Sequence, residues 1–188
     1  SIRKTTGIII ITGPTWSWKT TTLYTTLKKL NDGSKKIITL EDPIEYKISG
    51  LQQSQINYEK GYTYELGLKA ILRQDPDIIL IWETRSQETA SIAINAALTW
   101  HLVFTTLHTN SALDSLSRLM NMQVEPFLLA PALQLIIGQR LVRKLCPHCS
   151  KLQQASPEQD SEIRTTLSHL QKKDPKIWLN YNGQVPTA

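Results

Sequence analysis

The run Gly13-Pro14-Thr15-Trp16-Ser17-Trp18-Lys19-Thr20 meets the phosphate-binding pattern G-x-x-x-x-G-K-[ST] at every position but the sixth. In such a loop backbone N–H groups wrap the phosphates and the following helix N-terminus adds partial positive charge. The lysine, Lys19, reaches the terminal phosphates, and the hydroxyl of Thr20, followed by Thr21, suits Mg²⁺. The sixth position is Trp18, where glycine lets the backbone approach the phosphates closely. A left-handed backbone costs a non-glycine residue about 1–2 kcal/mol, and an indole would compete with a nucleotide for volume. As written, the loop is expected to bind ATP poorly.

Other candidates are Glu41 in Glu41-Asp42-Pro43, Glu83 after the apolar run ending at Trp82, and His108. Carboxylates at strand ends are where α/β proteins place chemistry. His108 taken alone reads as a hydrogen-bonded structural histidine. Cys146 and Cys149 are spaced for a metal or a free-thiol pair rather than for a disulfide framework.

These groups need elements to hold them. The β-branched run 7–12 suits a buried parallel strand, the glycine-proline turn follows at once, and 19–30 suits a helix ended by Asn31-Asp32-Gly33-Ser34. Residues 36–40 read as a second strand and 44–61 as a polar loop or short hairpin. Thr63 can cap a helix over 63–73, Asp75-Pro76 breaks it, and 77–81 is the clearest buried strand. A helix with Ala90, Ile94, Ala97 and Leu98 on one face, a strand over 101–105, and a helix carrying Leu113, Leu116, Leu119 and Met120 come next. After Cys149 the chain turns polar, with a modest helix over 167–173. Strands alternating with helices predict a mostly parallel sheet covered on both faces.

The 188 residues suffice for one well-buried domain and an appendage, expected at 1–145 and 146–188. No apolar run approaches the roughly 18 residues that cross a bilayer, and no cleavable leader is visible, so a cytoplasmic protein is expected. The 21 basic and 16 acidic residues leave +5, dispersed as on a solvated surface, and direct nucleic-acid binding is not expected.

From Gly7 to Cys149 the chain resembles the assembly ATPases of type II secretion and type IV pili, a branch of the RecA-like P-loop enzymes. That family's loop is Gly-Pro-Thr-Gly-Ser-Gly-Lys followed by Ser or Thr. Thr39-Leu40-Glu41-Asp42-Pro43-Ile44-Glu45 resembles its aspartate box. Arg73-Gln74-Asp75-Pro76-Asp77 leads into a Walker B strand ending in Glu83, and Thr106-Leu107-His108-Thr109-Asn110 resembles its histidine box. The resemblance implies that Glu83 polarises the attacking water, that His108 senses the γ-phosphate, and that Glu41 completes the site. Gln139 to Cys149 looks like the opening of a four-cysteine zinc knuckle, whose second cysteine pair is not found before Ala188. It points to the assembly branch and to Zn²⁺ beside ATP and Mg²⁺. The family also implies an N-terminal partner domain, a homo-hexamer, and an inner-membrane platform protein that the motor docks on peripherally.

Trp16, Trp18, Trp82 and Trp100 all stand where the family pattern has glycine. An average glycine content of about 7% corresponds to about 13 glycines in 188 residues, and the 8 glycines and 5 tryptophans together reach that number. The expectation is that UGA codons meant as glycine underlie the tryptophans, Trp178 included. If the tryptophans are real, the rival is a structural subunit with a blocked nucleotide site. A third reading is a DNA-uptake motor or a knuckle that binds nucleic acid.

Overall fold

The structure is a computed structural model describing residues 5–173 and 181–187; Trp178 lies outside the described residues. Six strands form one sheet: β1 (Gly7–Thr12), β2 (Ile37–Glu41), β3 (Gln52–Gln55), β4 (Ile78–Ile81), β5 (Leu102–Leu107) and β6 (Leu133–Gly138). Their order is β3-β2-β4-β5-β1-β6, and every pairing is parallel. The four inner strands β1, β2, β4 and β5 are buried along their whole length, which is why they read as unbroken β-branched runs rather than alternating ones.

Side chains still alternate between faces. Ile8 and Ile10 enter one core, Ile9 and Ile11 the other. On the second face α1 (Lys19–Leu30) packs Leu23, Tyr24 and Leu27 against Ile9, Ile11, Ile37, Leu80 and Phe104. On the first lie α2 (Tyr64–Leu72), α3 (Gln87–Leu98), α4 (Ala112–Asn121) and α5 (Pro126–Ala132), contributing Leu68, Ile71, Ala93, Ile94, Leu119 and Leu129. This is a parallel sheet with helices on both sides, as the alternation of elements requires.

Two expectations need correction. The segment 44–61 holds no hairpin: β3 joins β2 in parallel at the sheet edge, and its polar residues reflect that half-exposed position. The helix expected from Leu113, Leu116, Leu119 and Met120 is α4, on which Leu119 is buried and Leu116 partly so, while Leu113 and Met120 lie seven apart on an exposed stripe turned away from Ser115 and Leu119. Leu98 likewise faces outward, while Ala90, Ala93, Ile94 and Ala97 carry the buried face of α3.

The backbone divides between Leu141 and Val142 into two compact units. In the second, β7 (Lys151–Gln154) pairs antiparallel with β8 (Gln184–Thr187), and α6 (Pro157–Lys173) connects them, ten residues longer at its start than the helix expected over 167–173. Cys146 and Cys149 are exposed free thiols on a turn closed by the Ser150 N–H donating to the Cys146 carbonyl at 3.1 Å. The His148 backbone N–H, then the Cys149 thiol, hold the Cys146 thiol below its ordinary value. No group of three or more metal-ligating side chains occurs among the described residues. A structural zinc takes four ligands, so the residues present do not fit a zinc knuckle.

Candidate functional site

The C-terminal ends of β1, β4 and β5 open onto a cavity of about 490 Å³ lined by Thr15 to Thr21, Glu45, Tyr46, Trp82, Glu83, Thr106 and His108. Its floor is the phosphate loop. Gly13, at φ 153°, has no room for a side chain, since a Cβ would lie 2.2 Å from the Gln139 carbonyl oxygen. The Lys19 ammonium folds back onto the loop and donates to the carbonyls of Gly13 and Pro14 at 2.9 and 3.0 Å. Burial pulls its pKa down, and Glu83 partly opposes this. The Ser17 hydroxyl is buried with no hydrogen-bond partner. A desolvated ammonium satisfied only by its own loop, beside an orphan hydroxyl at an uncapped helix start, is chemistry suited to phosphate oxygens. Thr20 is half-buried at the start of α1 and Thr21 is exposed, both on the cavity wall.

Glu83 is buried just past β4. The Arg85 guanidinium donates to its Oε2 at 2.6 Å, and His108 Nε2 lies 3.4 Å from Oε1. The hydrogen bond to Glu83 raises Arg85 above its ordinary value. A ladder of threonines fixes the strand ends around the carboxylate. Thr84 and Thr105 pair hydroxyls at 2.8 Å, the Thr84 N–H donates to the Thr106 carbonyl at 3.1 Å, and the Thr106 hydroxyl donates to the Trp82 carbonyl. Thr12 pairs with Thr109, hydroxyl to hydroxyl at 2.5 Å, tying the loop that carries His108 to the end of β1.

Glu41 lies elsewhere. It is fully buried behind the cavity wall, where its carboxylate accepts from the Tyr24 hydroxyl, from Thr39 Oγ1 at 2.5 Å and from Gln53 Nε2 at 3.1 Å. Burial first, and then the bond to Glu41, push the Tyr24 phenol well up. Glu41 is therefore placed to position α1 rather than to touch a ligand, and Glu45 of the same box is the carboxylate on the cavity wall.

The family described as "Type II/IV secretion system protein" matches residues 1–180. The chain belongs to this secretion family. It is 53% identical over 188 residues to the type II secretion system protein E of Pectobacterium carotovorum subsp. carotovorum, covering 98% of this chain and 38% of that protein. It is 47% identical over 182 residues to the type II secretion system ATPase E of Vibrio cholerae serotype O1, covering 97% of this chain and 35% of that one. The crystal structure of the pilus retraction motor PilT with bound ADP superposes with a TM-score of 0.71 at 32% identity, over 91% of this chain and 55% of PilT. The chain thus spans well under half the length of these two type II secretion relatives.

Within this secretion-family chain, several residues at the site escape motif reading. Gln139, just past β6, braces the phosphate loop by three bonds. Its N–H donates to the Thr12 carbonyl at 2.7 Å, its Nε2 to the Ser17 carbonyl at 2.5 Å, and its Oε1 accepts from the Thr22 hydroxyl at 2.8 Å. Arg140 donates to the Asn110 carbonyl at 2.8 Å, bracing the histidine loop. Tyr46, on the cavity wall, meets the Tyr24 ring edge-on at 4.7 Å. The one sequence signal for Gln139 and Arg140 is a glutamine-arginine pair directly after an apolar strand ending in Gly138.

Proposed function

We propose that this chain is the ATP-hydrolysing core of a motor that assembles a type II secretion pseudopilus or type IV pilus. In this reading six copies form a ring at the cytoplasmic face of the inner membrane, docked on a platform protein. The observation that carries it is the convergence of Lys19, Thr20, Glu83 and His108 on one cavity above the sheet's C-terminal edge. ATP would place its terminal phosphates where Lys19 now holds the Gly13 and Pro14 carbonyls. The Thr20 hydroxyl would hold Mg²⁺, which when bound neutralises charge on the transferred phosphoryl group. Glu83 orients the attacking water and takes its proton once a carboxylate oxygen is released by Arg85. His108, half exposed next to Glu83, meets the γ-phosphate, and Glu41 holds α1 in register through Tyr24.

Steady-state phosphate release together with ADP affinity tests this. Glu83→Gln keeps ADP binding and lowers turnover by about 10²–10⁴-fold, while Lys19→Ala loses binding. Unchanged turnover in Glu83→Gln would overturn the assignment.

A second reading has its own observation. Trp16, Trp18 and Trp82 all line the cavity, and with indoles there the chain serves as a structural subunit that keeps the ring without turning over ATP. Calorimetric titration with ADP separates the two, since the blocked site takes up none.

A further inference from the structure

Among the described residues, five non-glycine positions have positive φ: Trp16 at 65°, Trp18 at 62°, Asp75 at 53°, Trp100 at 72° and Gln123 at 58°. Three of the five are tryptophan, although tryptophan supplies only 5 of the 188 residues. Aspartate tolerates the left-handed region because its short side chain bonds locally, whereas a bulky ring there is an outlier.

Each position has a structural reason to be left-handed that no side chain supplies. At Trp100 the chain leaves α3 through a Schellman turn. Thr99 is the cap, and the His101 N–H reaches back to the Ala96 carbonyl at 3.3 Å, the six-to-one bond that requires its preceding residue in the left-handed region. Trp18, at ψ 33°, is the turn into α1, and Trp16 is the third residue of the turn that the Ser17 N–H closes by donating to the Pro14 carbonyl at 3.3 Å, a position where positive φ favours glycine. Nothing compensates the strain by packing: the three indoles are 88%, 61% and 85% exposed in the order 16, 18, 100. Gln123, in the matching turn after α4, shows that a flexible side chain is tolerated there. It does not account for three aromatic rings.

We infer that positions 16, 18 and 100 carry glycine in the protein as its own cell makes it, the codons behind them being UGA read as glycine. The same reading extends to Trp82, at the strand end that leads into Glu83, and to Trp178. Glycine at 16 and 18 removes two indoles from the cavity and relieves the loop's backbone. The phosphate loop then meets its pattern at every position, and the composition reaches the expected glycine content. This inference stands apart from the motor reading, because it concerns which residues are present and not what they do.

Two measurements on the native gene and protein decide it. The codons at 16, 18 and 100 are expected to be UGA, and UGG at any of them overturns the inference. Mass spectrometry of tryptic peptides 5–19 and 86–118 from cells that make the protein is expected to show glycine at all three positions. Tryptophan at any of the three overturns it, whether or not the chain hydrolyses ATP.

Discussion

Helices α1 and α4 follow the neighbouring strands β1 and β5, yet their first turns are finished in opposite ways. Ser111 caps α4 by accepting from the Asp114 N–H at 3.1 Å, and Asp114 adds negative charge to the first turn. Thr63 with Glu65 on α2, and Ser86 with Glu88 on α3, repeat that finish. Helix α1 has no side-chain cap and no acid in its first turn. Its donors and its end of the helix dipole are left for something outside the chain, and Lys19 adds a cation next to them. Among α1 to α4 the one start left unfinished is the one at the ligand site; α5 also lacks a side-chain cap, but Pro126 at its beginning removes a donor that would need one.

Making α1 resemble its neighbours is the harshest test of that contrast. Thr21→Glu puts a carboxylate into the first turn of α1, on the cavity wall. Like-charge contact with a phosphate costs several kcal/mol, so ADP affinity should fall at least about a hundredfold. The thermal midpoint without ligand should meanwhile hold or rise, because an acid near a helix N-terminus contributes about 0.3–1 kcal/mol. Calorimetric titration and melting of the same variant read both, and equal ADP affinity would break the comparison.

A second substitution tests whether the body of α1 is anchored where its start is not. Tyr24→Phe removes the hydroxyl donated to buried Glu41, leaving an acceptor short of a partner at a cost of about 1–3 kcal/mol. It also changes the alkaline limb. A phenol whose folded pKa is raised stabilises the fold fully below its ordinary value of 10.0, and loses that contribution as pH rises through and above it. Lys19, with its pKa lowered, acts in the opposite sense and is common to both proteins. Denaturant unfolding between neutral pH and strongly alkaline pH should therefore show a smaller alkaline loss in Tyr24→Phe than in the parent, and parallel curves would refute the anchoring role.

The third effect is smaller. Gln139→Leu deletes the side-chain bonds to the Ser17 carbonyl and the Thr22 hydroxyl. With net hydrogen-bond contributions near 1 kcal/mol, ADP affinity should fall about tenfold with little change in the rate at saturation. A drop in that rate at unchanged affinity would place Gln139 in the chemistry instead of beneath the loop.

How much of this could be read from sequence depended on where each strand sits. The inner strands were legible because burial on both faces leaves unbroken apolar runs, as in Ile8 to Ile11 and Ile78 to Ile81. The edge strands were not. Gln52 to Gln55 is polar because one side of β3 has no neighbour, and the run holding β6 has no turn signal before it, only Pro131 inside α5. Motif spacing placed Lys19, Thr20, Glu83 and His108 around one cavity. It misplaced Glu41, since a box gives order along the chain and not which carboxylate turns inward, and it passed over Gln139, whose role depends on β6 lying beside β1.

The gentlest test asks whether the finished helix starts are indeed only scaffold. Ser86→Ala and Ser111→Ala each remove an N-cap acceptor, and such losses cost about 1 kcal/mol of stability. Both variants should melt lower, and both should bind ADP as the parent does. Ser111 is the more demanding case, because its carbonyl also accepts from the Thr109 and Ser115 hydroxyls, and Thr109 is the residue that fastens the His108 loop to β1. If the caps serve folding alone, the lost stability appears equally with and without ADP for both serines. A loss of affinity confined to Ser111→Ala would mean that the start of α4 also tunes the histidine loop, and the division between ligand-binding and scaffold helices would then have to be drawn between α3 and α4 rather than between α1 and the rest.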